Sequence, residues 1–388
     1  MQSVRSDEPT WELMLLVSRS GPLVGRARAM GIATDVVAMP EGVAILGDAT
    51  VQGRRGLIGV VVRTLGALGQ VVTYRRQLRR ALKRQAPDIV HTNGYKMHIM
   101  GAWSRPSGVA LVWHLHDYVS SRPLMAHVIK HLSRRCDAAI AVSRSIARDV
   151  ASVWRGRLPV QVVLNGVDLD VFRPDGPRAD LDARSGMTPA APDVVRVGLV
   201  ATMGRFKGHD IFLRAIAELP PSLPMRAYVV GGSLYETRGS EFSVESLRAL
   251  AHELGIAERV GFTGFVDDPA TAMRALDVVV HATTVPEPFG LVIAEGMACG
   301  RAVVASAVGG AGEIVHAGTD ALVHEPGNAV QLAAAIRRLV EDGELRGRLG
   351  RAGRRSATQR FDRRRLGSEV SVVYRAVVAA RMQGRVAG

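Results

Sequence analysis

The chain of 388 residues lacks several features that would place it in other classes of protein. It has only two cysteines, Cys136 and Cys299, and their spacing fits neither a disulfide framework nor a zinc ribbon. No apolar run reaches the roughly 18 residues of a membrane span, and the first ten residues, MQSVRSDEPT, lack the apolar stretch of a secretion signal. These absences exclude a disulfide scaffold, and they predict a chain without a membrane span or export signal in a reducing, cytoplasmic location.

Two common phosphate-binding motifs are also missing. No glycine is followed by a lysine, so the chain has no phosphate loop of the Walker type, and GxGxxG does not occur. A P-loop ATPase and a dinucleotide dehydrogenase are therefore disfavoured. Aromatic residues make up only 5% and are not interleaved with the arginines, which disfavours a nucleic-acid binding surface.

The composition is that of a soluble globular protein with a strong positive charge. Apolar residues make up 47% and charged residues 22%, and the length suits about two domains. The net charge is +14, and only four of the 50 basic residues are lysines, which leaves 46 arginines. This balance favours an anionic partner, which could be a phosphorylated small molecule, a nucleic acid or an acidic lipid surface.

Short β-branched runs alternate with helix-period stretches along nearly the whole chain, which is typical of βαβ units and a parallel sheet. The fold class is therefore α/β, with two doubly wound, Rossmann-like domains facing a central cleft. Ligands of such sheets bind beyond the carboxyl ends of the strands. The predicted strands lie at residues 13–17, 35–38, 88–91, 110–114, 138–142, 160–163, 194–200, 226–230, 259–263, 277–281, 302–305 and 321–323.

One stretch separates the two sets of strands. Residues 172–193, FRPDGPRADLDARSGMTPAAPD, are rich in Pro, Gly, Asp and Ala and show no apolar periodicity. We place the interdomain linker at 176–193, between an N-terminal domain at 1–175 and a C-terminal domain at 194–365. A last helix at 366–388 is expected to return to the N-terminal domain.

The segment 285–314, VPEPFGLVIAEGMACGRAVVASAVGGAGEI, carries the most information. A strand ends before it, and a helix is predicted to begin at about Leu291, so free backbone N–H groups there form an anion site. Glu295 lies about one turn into this helix among apolar neighbours. A carboxylate in that setting needs hydrogen-bond donors, which a ribose diol supplies, although it could instead neutralise an arginine or lie on the helix surface.

These residues resemble the family-four retaining glycosyltransferases with the GT-B fold. EPFGLVIAE has the family's two glutamates seven residues apart, and the resemblance extends over about residues 88–361 through APDIVHTNGYK, LVWHLHDYVSSRP, LNGVDLDVFRP, FTGFVDD and ALVHEPGN. The resemblance implies that Glu287 binds hydroxyls of the donor sugar and Glu295 the nucleotide ribose. It also implies that the Phe289, Gly290 and Leu291 backbone binds the sugar and diphosphate.

A second anion site is predicted where the strand VRVGLV runs into ATMGRFKGHD and a helix at 211–219. Arg205 and Lys207 place two cations at the carboxyl end of that strand, where they could grip a diphosphate or remain solvated without a function. The family usually has an arginine five positions before this lysine, where this chain has Thr202, and Arg205 is its expected substitute. Gly264 and Phe265 in FTGFV are expected to present backbone groups to the base.

Polar residues also follow a strand of the first domain, where ALVW leads into His114, His116 and Asp117. Such residues are more often site than core in this architecture. The resemblance places His116 against the donor sugar and acceptor, whereas His114 could be a buried, hydrogen-bonded histidine. Asn165, in LNGVD, resembles a loop near the interdomain cleft.

Two apparent metal motifs are read as structural. Asp168 and Asp170 form an Asp-x-Asp pair, but their position in NGVDLDVF matches the metal-independent family. His127 and His131 have helical i, i+4 spacing, but no glutamate follows His127 as a zinc protease would require, so they are assigned to a helix surface. We expect no metal and no cofactor.

The first domain has two further features. Six cations between Arg75 and Arg84 follow an apolar run at 57–72, and such a helix could lie on anionic lipid or be a solvated face. The start of the chain resembles the family's second unit, because residues 13–17 run directly into SRSGPLVGRARAMGI. We therefore expect either that the start of the sequence is misplaced or that the family's first strand and glycine-rich loop are missing.

The sequence thus predicts a retaining, metal-independent glycosyltransferase that moves a sugar from a UDP-, GDP- or ADP-linked donor to an acceptor hydroxyl. The acceptor is expected to be a glycan or glycolipid precursor, at the inner face of the cell membrane if it is lipid-linked. The alternatives are a nucleotide-sugar epimerase or hydrolase on the same fold, or a degenerate transferase that binds anionic surfaces.

Overall fold

A computed structural model describes residues 1–44, 53–154, 158–232 and 241–386, with the side chains of residues 53–67, 124 and 384–386 outside that description. The chain divides into two compact units. The first unit consists of Met1–Val163 together with Arg364–Gly388, and the second of Leu164–Arg363. Within the described residues, no helix has both the length and the apolar character needed to cross a bilayer.

Each predicted strand is found within two residues of its expected position, which confirms the α/β fold class. The strands are buried on both faces in the middle of each sheet, as the β-branched runs require. They are β1 (Met14–Val17), β2 (Ala33–Val36), β3 (Ile89–Asn93), β4 (Ala110–Leu115), β5 (Ala138–Ala141), β6 (Val160–Val162), β7 (Val195–Val200), β8 (Met225–Val230), β9 (Val260–Gly264), β10 (Val278–His281), β11 (Ala302–Ser306) and β12 (Leu322–His324).

The helices connect these strands in the order expected of βαβ units. Side-chain caps fix several of their starts: Asp268, Asn328 and Asp342 each accept a hydrogen bond from a backbone N–H of the first turn. The helices are α1 (Gln2–Asp7), α2 (Pro22–Ala29), α3 (Glu41–Ala44), α4 (Gly53–Gln85), α5 (Tyr95–Ser104), α6 (Pro123–Leu132), α7 (Arg144–Trp154), α8 (Leu181–Ser185), α9 (His209–Ala217), α10 (Val244–Glu253), α11 (Pro269–Ala275), α12 (Leu291–Ala298), α13 (Ala311–Ile314), α14 (Ala329–Glu341), α15 (Gly343–Arg360) and α16 (Leu366–Val386).

The second unit contains a six-stranded parallel sheet in the order β9-β8-β7-β10-β11-β12. Counted from its own first strand, this is the 3-2-1-4-5-6 order of a Rossmann fold. The strand order reverses between β7 and β10, and the loops that follow these two strands diverge there. A ligand of this unit is therefore expected at the carboxyl ends of β7 and β10.

The first unit contains a four-stranded parallel sheet, β3-β4-β5-β6, and a separate parallel pair, β1-β2. Apolar side chains pack on both faces of the four-stranded sheet. One cluster joins Val112 and Ile140 of the sheet to Val373 of α16, and the other packs Leu78 of α4 with Met100 of α5. The C-terminal helix α16 is therefore part of the first unit, where residues 366–388 were expected.

Residues 176–193, expected to be the linker, are part of the second unit. Asp182 of α8 is 4% exposed and accepts hydrogen bonds from the Tyr228 hydroxyl at 2.6 Å and the Arg226 guanidinium at 2.5 Å. Burial alone would raise the pKa of Asp182, but these hydrogen bonds and one from the Ala190 N–H lower it to about 2. The buried carboxylate of Asp182 attaches this polar segment to the sheet, so the segment is not a solvated linker.

We predict that Asp182→Ala destabilises the chain by about 3 kcal/mol, because it leaves the buried Arg226 guanidinium without its carboxylate. The matched control is Glu341→Ala, which removes the exposed pair with Arg337 and should cost less than about 1 kcal/mol. Urea denaturation of both variants measures the difference. Equal midpoints for the two variants would show that the segment is only loosely attached.

Candidate functional site

A lysine and a glutamate meet at the point where the strand order of the second unit reverses. Lys207 ends a short 3-10 turn (Arg205–Lys207) after β7, and Glu287 lies in the loop after β10. The Lys207 ammonium donates to both carboxylate oxygens of Glu287, at 2.9 and 3.0 Å. Both side chains are largely buried, with 21% and 15% of their surface exposed. The two residues predicted to bind diphosphate and sugar thus form one ion pair.

Close backbone approach makes this contact possible. Gly208 has a φ of +72°, and a Cβ at this position would lie 2.0 Å from the carbonyl oxygen of Ala282. The neighbouring Phe206 carbonyl accepts hydrogen bonds from the Thr283 hydroxyl and the Thr284 N–H, both at 2.9 Å. The loop after β7 is therefore fixed to the end of β10, and only glycine fits at their contact.

The surroundings of Glu287 keep it ionised. Its Oε2 accepts from the Thr283 hydroxyl at 3.2 Å and lies 3.5 Å from the Nε2 of His281. Burial alone would raise the pKa of Glu287, but the attraction of His281 and Lys207 lowers it to about 2. Its backbone is also held, because its carbonyl accepts from the Gly310 N–H at 2.7 Å. Glu287 is therefore a fixed carboxylate that can accept hydrogen bonds from hydroxyl groups.

Glu295 differs from Glu287 in having, among the described residues, no charged or hydrogen-bonding side chain around its carboxylate. It lies on α12, which begins at Leu291 as predicted, and it is partly buried among apolar residues. Within the described part of the chain it has neither a hydrogen-bond partner nor an ion-pair partner. Burial raises the pKa of Glu295 to about 7. A carboxylate without a partner in the protein favours a ligand hydroxyl as its hydrogen-bond donor. It speaks against the alternative that Glu295 neutralises an arginine.

The start of α12 has the geometry expected of an anion site. Gly290 is the N-cap, with a φ of +98°, and no side chain caps the helix. Phe289 is 3% exposed and its ring packs edge-on against Phe361, so only its backbone is available to a ligand. Leu291 is 44% exposed. These three residues therefore offer backbone groups at a helix start.

Gly264 is the last residue of β9, and Phe265 follows it. The Gly264 carbonyl accepts from the Gly231 N–H at 3.0 Å, which ties the ends of β8 and β9 together. Phe265 is 59% exposed, which is unusual for a phenylalanine. Its ring is thus open to a flat, apolar ligand group.

Arg205 contacts an aromatic ring. Its guanidinium lies 4.5 Å from the centre of the Phe242 ring, at cation–π distance, and the side chain is exposed. Lys207 is therefore the cation that the described contacts place at the carboxylate, and Arg205 lies two residues away on the same 3-10 turn. Asn165 and Asp168 lie in the same unit, and Asp168 pairs with Arg363 at 2.7 Å.

His116 belongs to the first unit, where four histidines lie near the ends of β3 and β4. Its Nε2 lies 2.9 Å from the Asn93 side-chain oxygen, and its ring packs 4.3 Å from that of His114. His114 in turn contacts His91 at 3.2 Å, and His91 contacts the Tyr374 hydroxyl of α16 at 2.6 Å. Burial lowers the pKa of His114 to about 2 and of His91 to about 4, so these rings are neutral structural groups.

The reading of His127 and His131 as helix surface agrees with their exposure on α6, where the two Nε2 atoms lie 3.1 Å apart. The sequence reasoning missed His281 and Thr283, both of which contact Glu287. Their position at and just after the end of β10 was the available signal, because carboxyl ends of parallel strands form the ligand edge.

Two family models match the chain. The model described as Glycosyltransferase Family 4 matches residues 23–171, and the model described as Glycosyl transferases group 1 matches residues 190–356. The D-inositol 3-phosphate glycosyltransferase of Nocardioides sp. is 30% identical over 334 residues, which cover 79% of this chain and 72% of that protein. The protein of the same name from Xylanimonas cellulosilytica is 34% identical over 236 residues, 58% of this chain.

Solved structures share the fold over nearly the whole chain. Anabaena HepE in complex with UDP-glucose is 26% identical and superposes with a TM-score of 0.76, covering 97% of this chain and 94% of HepE. Sucrose-phosphate synthase from Thermosynechococcus elongatus has the same fold, with a TM-score of 0.73 at 23% identity and coverage of 98% and 92%.

The two parallel-sheet units and these structural neighbours define the fold as the GT-B class of glycosyltransferases, built from Rossmann-like domains. Within that class, the chain belongs to glycosyltransferase family 4. The chain spans about half the length of several curated relatives that it matches, since the aligned part covers 53% of the Xylanimonas cellulosilytica protein and 44% of the one from Mycobacterium marinum.

We predict that Glu295→Gln stabilises the chain at pH 8. The pKa of Glu295 is raised from 4.5 to about 7 on folding, so the folded state loses stability as the pH rises from 4.5 to 7. The glutamine removes this loss, a gain of up to about 3 kcal/mol at pH 8 and none at pH 4. Denaturation at the two pH values measures it, and equal destabilisation at both would indicate an internal partner for Glu295.

Proposed function

We propose that the protein is a retaining glycosyltransferase, which moves a sugar from a nucleotide-diphosphate donor to an acceptor hydroxyl without a metal ion. The observation that carries this proposal is the partnerless Glu295, one turn inside a helix whose start lies beside the strand-order reversal. The vicinal diol of a ribose supplies two hydrogen-bond donors to a single carboxylate. A nucleoside held there has its phosphates within reach of the helix start.

The diphosphate is then held by the groups that surround the strand-order reversal. Lys207 and the free N–H groups that follow Gly290 stabilise the charge of the departing nucleoside diphosphate, with Arg205 as a second cation. Each well-placed donor is typically worth a few kcal/mol in the transition state. The chain needs such groups because the leaving group carries the charge that develops in this reaction.

The remaining predicted residues position the sugar and the base. Glu287 accepts from hydroxyls of the donor sugar, and the Phe289 and Leu291 backbone contributes further contacts. Gly264 and Phe265 contact the base, which the exposed Phe265 ring favours. The family resemblance assigns His116 to catalysis and Asn165 to nucleotide-sugar binding.

No protein nucleophile is required by this mechanism. The acceptor hydroxyl attacks the sugar on the face from which the diphosphate leaves, and a phosphate oxygen takes the hydroxyl proton. Catalysis then depends on positioning and charge stabilisation, which Lys207 and Glu287 provide as rigid groups. Lys207 donates two hydrogen bonds to a fixed carboxylate, so its position is set before a ligand arrives.

The comparisons support a choice of donor and acceptor class. HepE binds UDP and UDP-glucose at about a quarter sequence identity, which favours a UDP-linked donor over GDP- and ADP-linked ones. The relatives are named for D-inositol 3-phosphate, which favours a phosphorylated polyol hydroxyl as acceptor. A glycan or glycolipid precursor is the second acceptor candidate, and it is the one that a membrane surface would present.

We predict that the wild-type chain gains thermal stability with a UDP-sugar and that Glu295→Ala loses this gain. A ligand at 100 times its dissociation constant adds about 2.7 kcal/mol to stability. Removal of the carboxylate should weaken donor binding about tenfold to a hundredfold, because it removes charge-assisted hydrogen bonds to the ribose. Thermal-shift titrations with UDP-, GDP- and ADP-glucose measure this, with Glu341→Ala as control.

A product assay separates transfer from the rival reactions. A glycosyltransferase forms a glycoside on D-inositol 3-phosphate or a lipid-linked acceptor, a hydrolase releases free sugar, and an epimerase returns an altered donor. Transfer at an unchanged rate in Glu295→Ala would refute the assignment of this residue.

A stripe of exposed residues on α4 supports a membrane-surface location for the reaction. Leu68, Val72, Arg76, Arg80 and Lys83 fall three or four residues apart and so share one helix face. Leu68 and Val72 are 50% and 42% exposed, and the three cations make no ion pair within the described residues. Apolar side chains followed by free cations fit an anionic lipid surface. Most of the predicted apolar run at 57–72 lies outside the described side chains.

The other three cations between Arg75 and Arg84 contact groups of the first unit. Arg75 and Arg79 donate to the carbonyls of Trp103 and Arg105 at the end of α5, and Arg84 pairs with Asp35 at 3.5 Å. The six cations of the sequence pattern therefore divide into three that stabilise the first unit and three that remain available to lipid.

We predict that the protein binds vesicles of phosphatidylglycerol and phosphatidylcholine, and that Arg76→Gln/Arg80→Gln/Lys83→Gln weakens this binding about a hundredfold, since each cation contributes about 1 kcal/mol. Co-sedimentation measures it. The matched control, Arg338→Gln/Arg348→Gln/Arg351→Gln, removes the same charge from α14 and α15. Equal binding by both triple variants would assign vesicle binding to net charge alone.

A further inference from the structure

One face of the sheet in the first unit carries polar side chains at the carboxyl ends of β3 and β4. Side chains two residues apart on a strand point to the same face, so His91 and Asn93 share a face of β3. In the register of this parallel pair Asn93 lies opposite His114, and His116 follows two residues later. These four side chains form a polar row beside α16, whose Tyr374 contacts His91 at 2.6 Å. The proposed chemistry uses only His116.

The contacts within the polar row determine where the ring protons lie. Burial lowers the pKa of His91 to about 4 and of His114 to about 2, so each ring is neutral and carries one N–H. Among the described residues the Tyr374 hydroxyl has no acceptor other than His91 Nδ1, so the hydroxyl donates to that nitrogen. His91 therefore carries its proton on Nε2 and donates to His114 Nδ1 at 3.2 Å. His114 in turn carries its proton on Nε2.

The polar row holds His116 on two sides. The Nε2 of His116 lies 2.9 Å from the side-chain oxygen of Asn93, which is an acceptor, so Nε2 carries the proton. The ring of His116 packs on that of His114, with the ring centres 4.3 Å apart. Burial lowers the pKa of His116, which favours the neutral ring. The Nδ1 of His116 therefore has a lone pair that can accept a hydrogen bond from a ligand hydroxyl.

We propose that Asn93 and Tyr374 are positioning residues for His116. Asn93 fixes the tautomer of His116, so that Nδ1 accepts a hydrogen bond from a hydroxyl of the sugar or the acceptor. Tyr374 acts through His91 and His114, because its hydroxyl fixes the orientation of the rings on which His116 packs. The proposal rests on the proposed function, which assigns His116 to catalysis. Such a group must be held within about 0.5 Å of its productive position, since a displacement of about 1 Å can cost about a hundredfold in rate.

An experiment without ligand tests the role of Tyr374. Nitrogen NMR of a histidine-labelled chain reports which ring nitrogen carries the proton, and each histidine is assigned by replacing it with glutamine or asparagine. At pH 8, His91, His114 and His116 should each be protonated at Nε2 alone. In Tyr374→Phe, His91 loses the donor to its Nδ1, so His114 at the next position of the chain should become a mixture of tautomers. Tyr74→Phe removes another buried hydroxyl and should leave His114 unchanged. An unchanged His114 in Tyr374→Phe overturns the role of Tyr374.

A pair of variants tests the role of Asn93 by the same measurement. Asn93→Leu has a similar shape but cannot accept a hydrogen bond, so the His116 ring should become a mixture of tautomers. Asn93→Asp keeps an acceptor at the same place and should keep His116 protonated at Nε2. A His116 ring that stays in one tautomer in Asn93→Leu overturns the role of Asn93.

Transfer kinetics with UDP-glucose and D-inositol 3-phosphate at pH 8 test the consequence for catalysis. Asn93→Leu and Tyr374→Phe should each lower kcat about tenfold or more, because His116 is displaced. The Kd of UDP-glucose should stay within about threefold of wild type, because the proposed nucleotide contacts all belong to the second unit. Asn93→Asp should restore most of the lost kcat, and Tyr74→Phe should match wild type. Equal losses of kcat in Asn93→Leu and Asn93→Asp contradict the role of the acceptor at this position.

The outcomes separate this inference from the proposed function. An unchanged kcat in both Asn93→Leu and Tyr374→Phe overturns the positioning role and leaves the transferase proposal intact. Absence of binding by UDP-, GDP- and ADP-glucose overturns the transferase proposal, while the tautomers of His114 and His116 still decide whether Asn93 and Tyr374 fix these rings.

Discussion

The contact between Lys207 and Glu287 is the constraint on which the site depends. It joins the loops after β7 and β10, which diverge where the strand order reverses, and it requires the backbone of Gly208 to touch that of Ala282. The ion pair holds a cation and an anion in fixed positions at the edge of the sheet where the proposed function places a diphosphate and a sugar hydroxyl.

The two carboxylates of the site have opposite environments, and this difference separates their roles. Glu287 has a lysine, a threonine and a histidine around it, and its pKa is about 2. Glu295 has only burial, which raises its pKa to about 7. Burial of a carboxylate without a partner costs stability, and the structure leaves Glu295 in that state. The seven-residue spacing in the sequence does not by itself distinguish the two.

The large excess of arginine has a structural explanation that composition could not supply. Many of these side chains donate to backbone carbonyls at the ends of helices, where carbonyls lack partners and the helix dipole favours a cation. Each such arginine is used inside the protein and is not a site for an anionic partner. Such carbonyls at or near the ends of helices accept from Arg75 and Arg79 (α5), Arg259 (α9), Arg354 (α12), Arg360 (α13) and Arg346 (α14).

The sequence by itself determined the strands, the parallel α/β class and the start of α12, because alternating apolar runs and the EPFGLVIAE segment are local patterns. Only the tertiary structure decided that Lys207 contacts Glu287 across 80 residues, that residues 176–193 join the second unit through Asp182, and that His281 is buried beside Glu287. Periodicity reports which face of an element is buried. It carries no information on which side chains from distant loops form an ion pair, because such a pair depends on how the sheet brings its strand ends together.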